Sequence, residues 1–75
     1  MSDRERITKL VAEALGVPAS AVGEATTSQD LAEWDSLGHL RILMALEDEL
    51  AVGIDIETAA ELDSIAKLLA WLKTV

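Results

Sequence analysis

Apolar residues recur along this chain at helical spacing, and the runs break at glycine, proline and capping residues. Ile7, Leu10, Val11, Ala14 and Leu15 make one apolar face of a first helix. Ser2 can cap its start, and Glu5, three residues on, completes a capping box. Gly16 is the natural stop, and Pro18 cannot extend the helix. A second helix is expected from Asp35 or Ser36 to about Leu50, because Asp and Ser both cap well. Its apolar residues cover two sides. His39, Ile42, Leu43, Leu46 and Leu50 form one stripe, and Leu37, Leu40 and Met44 another. A helix apolar on two sides is either central in the core or keeps one stripe for a partner.

Asp63 or Ser64 should cap a last helix to about Lys73, with Ile65, Leu68, Leu69 and Leu72 inward and Trp71 at the rim of the core. A short third helix is expected over residues 58–62. Residues 52–56 alternate as a strand does, but a lone strand has no partner, so they read as a loop burying Ile54 and Ile56. The connection over residues 16–34 is long for a compact domain, and such loops are often functional. Val17, Val22 and Leu31 should pin it to the core, with a short turn within residues 18–22. The expected fold is all-α: a single domain over residues 1–75, three main helices and one short helix packed as a small bundle.

Length sharpens this picture. A chain of 75 residues buries only ~60% of the surface its unfolded form exposes. A deep catalytic cleft would be hard to support. The chain has no Cys, which excludes disulfides, thiolate metal sites and a cysteine nucleophile. His39 is the only histidine and no EF-hand spacing occurs, so no metal site is expected. The net charge is −8, and it is unevenly placed: residues 24–66 hold eleven acids against one base, Arg41. This argues against nucleic acid and anionic membranes and for partners with basic surfaces. Crowded like charges should also make the fold more stable in added salt. No signal peptide or membrane span is visible, so a cytoplasmic, monomeric protein is the simplest expectation.

The chemistry concentrates in Glu33-Trp-Asp-Ser-Leu-Gly-His-Leu40. With a capped first helix, a long loop, Asp35-Ser36-Leu37, an acidic second helix ending Met44-Ala-Leu-Glu-Asp-Glu-Leu50, a short third helix and an amphipathic last one, the whole chain resembles acyl carrier and peptidyl carrier proteins. The resemblance implies that Ser36 carries 4′-phosphopantetheine, donated by coenzyme A through a phosphopantetheinyl transferase. It implies cargo held as a thioester on that arm, and a carrier rather than an enzyme. A phosphodiester on a serine in the first helical turn would meet free N–H groups and the positive end of the helix dipole. Asp35 either only caps the helix or, as the resemblance implies, also helps the transferase place a metal ion.

Leu37, Leu40, Arg41, Met44, Glu47 and Asp48 are the expected docking face. Acidic groups would steer the encounter and apolar ones would make the contact. The partners implied are an acyl- or aminoacyl-loading ligase and downstream synthase or transferase enzymes with basic patches. A solvated acidic face over ordinary packing is the plainer reading. Asp55, Glu57 and Glu61 either extend this patch or are simple surface charge. His39, Leu43 and Leu46 are expected to border the arm or its cargo, and a bulky His39 would restrict a long acyl chain. Trp34 is a loop residue folded on the helix start or a partner contact.

Carriers of fatty acid synthesis usually show Gly-Ala-Asp-Ser-Leu-Asp, with an acid where Arg41 stands. Glu33-Trp34, Gly38, His39 and Arg41 look more like discrete carriers of specialised pathways, and a chain running from Met1 to Val75 fits a free-standing one. Asp63-Ser64-Ile65 repeats the Asp-Ser-apolar pattern without an acidic helix behind it, and Ser64 reads as a cap only. Two other classes stay in view. One is an unmodified acidic helical interaction module, an adaptor or inhibitor. The other is a minimal hydrolase pairing Ser36 with His39, three residues on. The second lacks a Gly-x-Ser-x-Gly elbow.

Overall fold

The computed structural model describes residues 2–75. Four α-helices follow in order: α1 (Asp3–Leu15), α2 (Ser36–Leu50), α3 (Ile56–Glu61) and α4 (Ile65–Leu72), with one turn of 3-10 helix at Ala19–Ala21. α1 packs against both α2 and α4. The core forms where their apolar faces meet: Ile7, Val11, Ala12 and Leu15 from α1, Ile42 and Leu46 from α2, Ile65 and Leu68 from α4. Val22, Trp34 and Leu62 close it from the connections. No described helix is long and apolar enough to cross a membrane.

Caps set the helix bounds. Ser2 Oγ accepts from the Glu5 N–H at 3.2 Å. Glu5 does not reach back to the Ser2 backbone as in a full capping box; its carboxylate takes the Ser2 hydroxyl instead. Gly16 ends α1 at φ 71°, a conformation that costs glycine little. Asp35 caps α2 and Ser64 caps α4, each side chain accepting from the N–H three residues on. α2 ends at Ala51 in the same left-handed region, φ 54°, where a Cβ is unfavourable.

Two expectations about the third helix need correction. It begins at Ile56, not Thr58, because Asp55 caps it by accepting from the Thr58 N–H. Ile56 is therefore not a buried loop residue: as the first residue of α3 it is 87% exposed. Ile54 is half-buried against the core. α3 itself buries no side chain fully.

The long connection is ordered by its own polar groups. Thr26 Oγ1 accepts from the Gly23 N–H, and Asp30 accepts from the Thr27 N–H, both at 2.8 Å. Ser28 N–H to Asp63 O and Ile65 N–H to Thr26 O then stitch it to the start of α4. Arg4 on α1 pairs with Glu24, both exposed. Val22 is buried, and Val17 and Leu31 are half-buried against the core. The connection thus delivers residues 33–35 to a fixed place at the head of α2.

Candidate functional site

The head of α2 is built around Asp35. Its Oδ1 accepts from the Gly38 N–H, and its backbone carbonyl accepts from the His39 N–H, both at 2.8 Å. The first satisfies one of the four orphan donors of a helix start, and the second is the first regular bond of the helix. The N–H groups of Ser36 and Leu37 find no acceptor among the described residues and remain for solvent or an anion. Ser36 is the first helical residue and is exposed.

Gly38 makes this geometry attainable. It is buried, and a Cβ there would lie 2.1 Å from the Glu33 carbonyl oxygen and 2.8 Å from Leu15 Cδ2. The strand of loop before Asp35 and the end of α1 both press on that position. Sequence reasoning noted Gly38 only as a departure from another motif. The available signal was a glycine inside a helical pattern, which costs about 1 kcal/mol and so calls for a packing reason.

Trp34 and His39 form a polar chain beside the serine. The buried Trp34 donates Nε1–H to His39 Nδ1 at 3.1 Å. His39 Nε2 lies 2.7 Å from the Ala59 carbonyl on α3. The neutral Nε2–H tautomer satisfies both contacts. The two rings stack at 6.4 Å between centroids with 21° between planes. Trp34 is thus a buried structural residue and not a surface contact. Both ring nitrogens of His39 are engaged away from Ser36, which removes the geometric basis of a Ser36–His39 dyad.

The second stripe of α2 stays outside the core. Leu37, Leu40 and Met44 are 56%, 51% and 55% exposed, with Arg41 and Asp48 exposed beside them. Glu47, on the same face, has a second contact. It is half-buried, and its Oε2 accepts from the Ile54 N–H at 3.1 Å, so it ties the loop before α3 to α2. Of the residues expected to border cargo, Leu46 is fully buried, while Leu43 and His39 are half-buried. Leu46 also floors an open cleft of about 700 Å³ between α1, α2 and α4, of which neither His39 nor Leu43 is part. Its α2 lining begins at Ala45, nine residues and about 13 Å along the axis from Ser36.

Ser64, the serine of the second Asp-Ser pair, is buried, and its hydroxyl accepts from the Lys67 N–H at 3.1 Å. Asp63 pairs with Lys67 at 3.1 Å. This serine is a cap without access. Among the described residues no buried side-chain polar atom lacks a partner, and no group of acids and histidine is arranged to hold a metal.

The exposed serine on a capped helix start, followed by an exposed apolar stripe, agrees with comparisons to known proteins. Residues 5–72 match the family described as the phosphopantetheine attachment site. The acyl carrier protein of Nitratidesulfovibrio vulgaris is 35% identical over 74 residues, covering 97% of this chain and 96% of that protein. This chain belongs to the phosphopantetheine attachment family, in the lineage of acyl carrier proteins, and it is a carrier rather than a catalyst.

Proposed function

We propose that Ser36 bears 4′-phosphopantetheine and that this chain holds an acyl or aminoacyl group as a thioester on that arm. The carrying observation is the contrast between its two Asp-Ser pairs: Ser36 is exposed beside two unpaired N–H groups, whereas Ser64 is buried and engaged. On modification the Ser36 oxygen forms the new P–O bond. The pyrophosphate bond of coenzyme A breaks, adenosine 3′,5′-bisphosphate leaves, and the hydroxyl proton passes to a base of the transferase. The phosphodiester gains from the helix dipole, about 0.3–1 kcal/mol for an exposed group. Asp35 keeps Oδ1 on Gly38 and has its other oxygen free to assist the transferase.

Leu37, Leu40 and Met44 supply apolar contact to partner enzymes, and Asp48 with its acidic neighbours steers basic patches toward it. Glu47 shapes this face through the loop it holds. Arg41 sits exposed within the stripe and reverses one charge there, which favours service in a specialised pathway over housekeeping fatty acid synthesis. Loading ligases and downstream synthases or transferases are the partners this reading implies.

Intact mass after incubation with coenzyme A, magnesium and a broad-specificity phosphopantetheinyl transferase tests the assignment. One added phosphopantetheine and one new thiol are expected for the wild type and for Ser64→Ala, and neither for Ser36→Ala. The chain has no Cys, so the thiol reports the arm alone. Absence of any addition would replace this reading with an unmodified interaction module.

A further inference from the structure

The side of the bundle nearest Ser36 is closed by hydrogen bonds more than by packing. α3 buries no side chain fully, so little apolar contact holds it down. Its ties are polar: Glu47 to the Ile54 N–H in front of it, and His39 Nε2–H to the Ala59 carbonyl within it. Leu62, just after it, is fully buried in the core, and Ile54, just before it, is half-buried against the core. α3 is the element that His39 ties down beside Ser36, since His39 lies one helical turn from the serine and bonds Ala59. Cargo entering between α2 and α3 at this point would displace the His39 ring. That breaks the bond to Ala59 and leaves the Trp34 N–H, on a side chain 4% exposed, without its acceptor. The core beside it is closed to solvent: Ile42, Leu46, Ile65 and Leu68 are at most 1% exposed.

On the carrier reading above, we infer that His39 is the residue that decides cargo class. Latched between Trp34 and Ala59, it keeps the acyl group outside the bundle. The cargo that suits such a carrier is short or polar. A group with few methylenes gains little from burial and forfeits nothing by riding in water. A long alkyl chain would have to break the latch to enter the bundle beside Ser36.

The test loads the apo-protein directly from acetyl- and octanoyl-coenzyme A with the same transferase, with intact mass as the control for loading. The expected result is that the two wild-type forms melt within about 2 °C of each other. The Trp34 indole and Ala59 amide signals should coincide in their ¹H–¹⁵N spectra. His39→Leu removes both hydrogen bonds and keeps apolar bulk. Its octanoyl form should melt at least about 5 °C above its acetyl form, a chain-length dependence that a merely structural role would not produce. An octanoyl wild type that melts at least that much higher, with those signals moved, overturns the inference. A folded His39→Leu that ignores chain length overturns the role of His39. Should that variant not fold, the wild-type pair still decides whether cargo is excluded. A mass that never increases removes the carrier reading itself, and the inference with it.

Discussion

An alanine at position 38 would bring its Cβ within 2.1 Å of a backbone carbonyl oxygen, that of Glu33. Carbon atoms pack best at about 3.5–4.0 Å, so the two segments must part by roughly 1 Å or more. Leu15, the other close neighbour at 2.8 Å, can rotate away. Glu33 O cannot, because it is backbone, and the next residue is the buried Trp34. Ordinarily, alanine for glycine inside a helix gains about 1 kcal/mol. Overpacking costs about 1–3 kcal/mol, occasionally more. A clash against backbone belongs at the top of that range, for a net loss near 2 kcal/mol. In a domain this small that lowers Tm by about 10 °C. Thermal unfolding followed by far-ultraviolet circular dichroism measures it. Gly53→Ala is the control: nothing lies within 4 Å of a Cβ there, and its effect should stay within about 1 kcal/mol. A Gly38→Ala protein that melts at or above the wild type would refute the close approach of residue 33 to α2. The placement of Ser36 argued from it would fall too.

Other outcomes follow from single contacts. Ala51→Gly relieves a Cβ at φ 54° and should stabilise the fold by about 0.5–1 kcal/mol, read as a raised Tm. Glu47→Ala removes the acceptor of the Ile54 N–H and should cost about 1–2 kcal/mol, with faster hydrogen exchange at Ile54. Were Glu47 only a docking charge, neither would change. Hydrogen bonds from Thr58, side chain before backbone, hold the Asp55 carboxyl below its ordinary value. Its contribution is complete at neutral pH and is lost as pH falls through that lowered value, so the Thr58 and Ala59 amides should shift below about pH 4. In Asp55→Asn that acid-dependent part should vanish. Eleven acids against one base over residues 24–66 should make Tm rise between low and moderate salt, and a flat profile would count against charge crowding.

The parts of this fold that were legible in the sequence are those governed by local rules. Ser2, Asp35, Ser64 and Gly16 fix helix ends through their own side chains or backbone freedom, and each acts where the pattern put it. The two stripes of α2 were also readable, because periodicity reports which residues share a face. What periodicity does not report is which neighbour a face meets. Ile56 and Ile54 alternate alike, yet the Asp55 cap turns the chain into α3 between them and leaves Ile56 in solvent. Glu47 lies seven residues after Leu40 and so shares its helix face, but its other contact is not readable from that spacing. Its partner is Ile54, a contact across a loop that helix geometry cannot foretell. Ala51 in the left-handed region carried no signal, since glycine or asparagine is the residue that marks such a cap.

The same division separates the two jobs of α2. Its inward stripe is spent on stability: Ile42 and Leu46 are fully buried in the core where α2 packs on α1. Its outward stripe contributes less to the isolated fold, since Leu37, Leu40 and Met44 each keep about half their surface in water. Truncating any of them to alanine should change Tm little, because surface substitutions away from special features stay near ±0.5 kcal/mol. On the docking reading proposed above, these half-exposed apolar side chains are the contact offered to partner enzymes. Ser36 stands at the end of that stripe, so an enzyme that grips α2 by its exposed leucines meets the serine without further rearrangement. That arrangement lets a chain of 75 residues present reactive cargo while its partners supply the catalytic groups.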